Sequence, residues 1–114
     1  MKLITKEIAK KLPALGALDG QGLDAQAQLK LFTPWTNWTW YATEYDPRDR
    51  VCFGWAINGA DPDSAELGYF SLQELEEVKG PFGFRVERDL YWEPRSLRQC
   101  MKDHGRTPWD EARS

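Results

Sequence analysis

The side chains able to do chemistry are few in this chain, and their spacing suits no single reaction. His104 is the only histidine. It falls near a predicted helix end with neither a nucleophile nor an orienting group beside it, so a solvated imidazole is expected rather than half of a Ser-His or Cys-His pair. Cys52 and Cys100 are the only cysteines, and even with His104 they fall short of the four ligands of a structural zinc site. Their dissimilar contexts read as free thiols rather than as a disulfide framework. Glu44, Asp46, Glu66, Glu87 and Asp89 could converge as general acid and base, with or without a divalent metal, but among 18 acidic residues some convergence is expected by chance. Asp61 and Asp63 hint at a calcium loop, yet the further ligands and closing glutamate of an EF-hand are missing. Asp19-Gly-Gln-Gly22 likewise lacks the Lys-Ser/Thr ending with which a glycine-rich loop holds nucleotide phosphates. These patterns assign no catalytic residue, no metal ligand and no cofactor.

The aromatic residues are more informative. Six tryptophans in 114 residues is a high density, and tryptophan serves both small cores and interaction surfaces because it combines a large apolar area with one N–H donor. Trp38-Thr-Trp40-Tyr41 could stack on nucleobases, but Glu44 and Asp46 follow where lysine or arginine would be needed to track phosphates. A net charge of −3 and a pI near 5.2 point the same way, since backbone electrostatics dominate such binding.

These residues must be held by a single domain, because a chain of 114 residues builds one core and divides poorly into two. No apolar run approaches the roughly 18 residues that would span a bilayer. The N-terminus lacks the apolar stretch and cleavage site of a secretory signal, so a cytoplasmic location is expected.

Thr5 is placed to cap a short helix with Ile8, Ala9 and Leu12 on its buried face, ended by Pro13. A loop is expected over 16–27. Leu29 and Leu31 then mark a strand closed by Pro34. From 37 to 46 the chain is rich in Thr, Trp and Tyr, and strict alternation puts Trp38, Trp40 and Ala42 on one face and Tyr41, Thr43 and Tyr45 on the other. Asp46-Pro-Arg-Asp49 forms a turn, and the return strand alternates Val51, Phe53, Trp55 and Ile57 with small residues. A loop is expected from Asn58 to Ala65, then a strand over 66–70.

Ser71 followed by Glu74 has capping-box spacing, with Phe70 and Leu75 placed as a hydrophobic staple and Leu72, Leu75 and Val78 as the apolar stripe. Gly80-Pro-Phe-Gly83 is a turn, Val86 to Trp92 an edge strand carrying charges. Ser96 with Gln99 caps a last helix over about 97–103, stopped by Gly105. The expected fold is therefore α+β: a mainly antiparallel sheet of four to five strands with an N-terminal helix, a central capped helix and a short C-terminal helix. It forms a single domain over 1–105 followed by a mobile tail over 106–114.

Taken together, Leu3-Ile-Thr-Lys-Glu7, Lys30-Leu-Phe-Thr-Pro34, Trp38-Thr-Trp40 with Thr43-Glu-Tyr-Asp-Pro47, Glu66-Leu-Gly-Tyr-Phe-Ser-Leu-Gln-Glu-Leu75, Gly80-Pro-Phe-Gly83 and Val86-Glu-Arg-Asp-Leu90 resemble a family of small plasmid and integrative-element proteins known only as a domain of unknown function. The resemblance covers about residues 2–94. It implies a mobile-element origin and a role in antagonising host restriction or CRISPR defence; it implies no catalytic residues.

The resulting expectation is a non-catalytic module that binds a host or element-encoded protein, such as a nucleic-acid-binding defence complex. A small carboxylate-dependent enzyme is the alternative, and a nucleic-acid-binding accessory protein the weaker one. With helices on one side of the sheet only, Trp38 and Trp40 take the core face and the other face is left open. The partner surface is then expected at Tyr41 and Tyr45, rimmed by Glu44, Asp46, Asp61, Asp63 and Glu66.

Overall fold

The computed structural model describes residues 2–111. Its centre is an antiparallel five-stranded sheet built from β2 (Leu29–Phe32), β3 (Trp38–Asp46), β4 (Val51–Asn58), β5 (Asp61–Ser71) and β6 (Glu87–Arg88), in the order β5-β4-β3-β2-β6. A second, two-stranded sheet pairs β1 (Gln26–Ala27) with β7 (Arg95–Ser96). Three helices complete the fold: α1 (Lys6–Lys11), α2 (Leu72–Glu77) and α3 (Leu97–Asp103). The α+β class and the antiparallel pairing are as the sequence leads one to expect.

Each helix begins at its predicted cap. The side-chain oxygens of Thr5, Ser71 and Ser96 accept from the amides of Ile8, Glu74 and Gln99, satisfying one orphan N–H at each start. Val78 departs from expectation: α2 ends at Glu77, leaving Val78 as an exposed C-cap instead of a member of the buried stripe. The segment from Asn58 to Ala65 also differs. Only Gly59 and Ala60 form a turn there, and Asp61 already belongs to β5, because Asn58 pairs with Asp61 and closes a tight hairpin. At the other edge, the expected strand over Val86–Trp92 shrinks to Glu87–Arg88, and the Asp89 carboxylate then accepts from the amide of Tyr91 to turn the chain.

The sheet is covered on both faces, which corrects the expectation of a single helical layer. One core joins Leu12, Leu29, Leu31, Ala42, Tyr45, Cys52 and Val86 to Leu72 and Leu75 of α2. The other joins Leu23, Ala27, Tyr41, Trp55 and Ile57 to Leu97, Cys100 and Met101 of α3. Cys52 and Cys100, both free and buried, sit one in each core.

A β-bulge between Ala42 and Glu44 decides which side chain goes where. One extra residue in β3 reverses the alternation beyond it. Tyr41 consequently enters the α3 core while Tyr45 enters the α2 core, although strict alternation would put them on one face. Residues 106–111 also lie against the domain. Pro108 is buried, Arg106 pairs with Asp63 at 2.8 Å, and Arg98 binds Asp24, Asp110 and Glu111. Only residues 112–114 of the expected tail fall outside the described residues.

Candidate functional site

The α2 side of the sheet is covered at one end only. At the Tyr45 end, Leu72 and Leu75 close over it. At the other end, direct cross-strand partners share a face and make three rows running from β3 through β4 to β5: Trp38–Asn58–Asp61, Trp40–Ala56–Glu66 and Ala42–Gly54–Gly68. Two tryptophans, Trp38 and Trp40, therefore stand on β3, the small Gly54 and Ala56 on β4, and the carboxylates of Asp61 and Glu66 on β5. The outcome is an open groove of about 220 Å³, walled by Trp38 and Trp40, floored by Gly54 and Ala56, and bounded by Glu66, Gly68 and Phe70.

The two indoles lie with ring centroids 5.6 Å apart and planes 12° apart, so they present a single stacked wall. Trp38 remains 39 % exposed, and Trp40 is half-buried against the α2 core. A Cβ built at Gly68 would meet no atom within 4 Å, so the groove continues over that position. Among the described residues, neither Glu66 nor Asp61 takes part in an ion pair.

The expected partner surface is dispersed by this fold. Tyr41 and Tyr45 are both buried, at 1 % and 5 % exposure, which corrects their placement on an open face; the bulge and the second helical layer are the reasons. Glu44 is buried as well. Its two carboxylate oxygens accept from the amides of Gly16 and Leu18 at 2.9 and 2.7 Å, and so clamp the loop before β1. Asp46 accepts from the Arg48 amide in the β3–β4 turn, and Asp63 is engaged by Arg106. Of the seven residues, Glu66 borders the groove and Asp61 stands at the end of its first row.

The other carboxylates considered for catalysis diverge. Asp89 pairs with Lys30 at 3.1 Å on the β6 side, far in sheet order from Glu66 on β5. Among the described residues, no three His, Cys, Asp or Glu side chains group closely enough to hold a metal ion.

His104 is not the solvated residue that its sequence position suggests. It is half-buried, with its Nε2 2.7 Å from the Tyr41 hydroxyl and its ring edge-on to both Tyr41 and Trp55. Burial raises the phenol pKa of Tyr41 and lowers that of the His104 imidazole, helped by the charge of Lys30, so a neutral phenol and a neutral ring share this hydrogen bond. Cys100 lies in the same core with its thiol pushed up by burial to about 12, a poor nucleophile.

A family model described as proteins of unknown function, DUF2958, matches residues 3–102. The chain belongs to that family. The DUF2958 match takes in every groove residue and runs through most of α3, further than the motifs read from the sequence, which stop at about residue 94. No curated protein matches the chain, and no solved structure does. Among the described residues, no helix is long and apolar enough to cross a membrane.

Sequence reasoning missed the groove because it weighed the two faces of β3 by their own side chains. The available signal was the coincidence of small residues, Gly54, Ala56 and Gly68, on the neighbouring strands beside two tryptophans.

Proposed function

We propose that this DUF2958 chain is a non-catalytic protein-binding module whose working surface is the open end of the α2 face, with Trp38 and Trp40 as its anchors. One observation carries the reading: in a sheet otherwise covered on both faces, two stacked indoles are left beside a bare floor of glycine and alanine. Tryptophans in such a setting supply affinity once a partner excludes water from them. The most exposed aromatic side chains elsewhere, Phe82 and Tyr91, lie outside the sheet, in a short 3-10 segment and a turn.

The occupant is an extended segment of a partner protein. β5 is the edge strand of the sheet, and the groove opens beside it, so a segment lying along that edge reaches the indoles with alternate side chains. The resemblance to plasmid and integrative-element proteins supplies the setting: a cytoplasmic host or element-encoded partner, of which a restriction or CRISPR complex is the kind an element gains from blocking.

The test compares host-lysate proteins retained by the wild type with those retained by Gly68→Val, which fills the groove where there is room for a side chain. A partner held by the wild type and lost from Gly68→Val supports the reading. Identical retained sets from two folded proteins overturn it.

A further inference from the structure

Resting on that protein-binding reading, we infer that the groove accepts an arginine side chain from the partner, its guanidinium set against the stacked Trp38–Trp40 wall and paired with the Glu66 carboxylate. Trp40 and Glu66 occupy the two ends of one cross-strand row, with Ala56 between them. They stand two strand spacings apart, about 10 Å, and only a methyl group lies between. That gap suits a flat group laid across the floor between the indole wall and the carboxylate.

The charge of the occupant follows from the walls. An indole face attracts a cation, and Glu66 offers a carboxylate without an ion-pair partner among the described residues. Asp61 adds a second negative charge at the end of the next row, and the chain as a whole carries −3. A nucleic acid has the right flat bases but the wrong backbone charge for this rim. Lysine has the right charge but a compact ammonium. The guanidinium alone combines a planar face for stacking with a fork of donors that meets both carboxylate oxygens. The open space at Gly68 is where the side chain crosses β5 from a segment lying along the edge.

The test follows the indole N–H resonances of Trp38 and Trp40 by NMR, assigned with Trp38→Phe and Trp40→Phe. The probes are pentapeptides with valine at alternate positions and a central arginine, lysine or citrulline, together with oligothymidylate. The arginine peptide is expected to shift both resonances saturably. Its affinity should fall about tenfold in Glu66→Gln, as loss of a charge-assisted pair implies, and less in Asp61→Asn. Both substitutions lie on the exposed surface, so an unchanged spectrum elsewhere verifies the fold. Equal response to lysine or citrulline, no response to any peptide, or response to oligothymidylate alone overturns the inference. If Glu66→Gln retains a lysate partner that Gly68→Val loses, the arginine assignment fails while the protein-binding reading stands.

Discussion

Gly54 and Gly68 face each other across β4 and β5, yet only one of them has room for a side chain. A Cβ on Gly54 would lie 1.7 Å from the carbonyl oxygen of Tyr41, whereas one on Gly68 would meet nothing within 4 Å. The first glycine is therefore required by the backbone of β3, which presses against β4 beside the bulge, and the second is a vacancy in the surface. Gly54→Ala should destabilise the protein by about 3 kcal/mol or more, because the strands must separate to admit the methyl group. Gly68→Ala should be neutral or up to about 1 kcal/mol stabilising, through the lower chain entropy of alanine when unfolded. Urea melts of the two variants check both signs.

Glu44 holds the loop before β1 from within the sheet. Both its oxygens are taken by backbone amides, those of Gly16 and Leu18, in a site 5 % exposed. Glu44→Gln keeps the shape but turns an amide NH2 toward one of those N–H donors. The cost is expected at about 2–3 kcal/mol, the loss of a charge-assisted bond plus an unsatisfied donor. Hydrogen exchange should localise the loosening to the amides of Gly16 and Leu18; unchanged protection there would remove Glu44 from its role as the clamp.

The helix starts were legible in the sequence because a cap is local: Thr5, Ser71 and Ser96 sit next to the amides they satisfy. The β3–β4 hairpin was legible for the same reason, as its turn lies between two alternating runs. The faces of the sheet were not. The extra residue at Ala42–Glu44 has no composition of its own, and it sends Tyr45 to the opposite side from Tyr41. The partners of Glu44 and His104 are distant in sequence, so a buried clamp and a buried aromatic pair both looked like surface groups. The groove needs three strands in register, and only the Gly-Ala spacing hinted at it.

Stability should rise with pH through the titration of His104. Burial, aided by Lys30, lowers the folded-state pKa of its imidazole, while the unfolded chain titrates near about 6.5. Between those two values the unfolded state binds more protons. The contribution of the neutral, Tyr41-bonded ring is thus fully present above about pH 6.5 and is lost as pH falls toward the folded pKa. His104→Gln should flatten the stability profile across that window in denaturant titrations. An equally steep slope in the variant would assign the dependence to another group.

Neither thiol should react in the native state. Burial pushes Cys52 and Cys100 each up to about 12, so the thiolate fraction is small even in mildly alkaline buffer, and both side chains are fully covered. A thiol-specific chromogenic reagent should label neither until guanidinium unfolds the chain, and then both together if the two cores melt as one cooperative unit. Labelling of Cys100 ahead of Cys52 would show that the α3 core opens separately from the α2 core.

The N-terminal segment, α2 and the β3–β4 turn meet at a single carboxylate. Glu76 accepts two hydrogen bonds from the guanidinium of Arg50, at 2.6 and 2.8 Å, and a third from the amide of Leu3 at 3.0 Å. Arg50 holds a left-handed backbone, φ 55°, and its carbonyl accepts from Leu72 where β5 passes into α2, so its position is fixed from both ends. The guanidinium, with the Leu3 amide assisting, lowers the Glu76 pKa despite the opposing effect of burial. A carboxylate depressed in the fold stabilises it above its unfolded pKa, about 4.3, and the benefit disappears as pH falls through the folded value. Arg50→Gln keeps the strained backbone residue but removes the charge. It should cost about 1–2 kcal/mol near neutrality, a figure held down by the partial exposure of the pair. The gap between variant and wild type should then close as pH drops well below about 4.3, since protonated Glu76 has no ion pair to lose. A gap that persists undiminished in acid would mean that Arg50 acts through packing rather than through its charge.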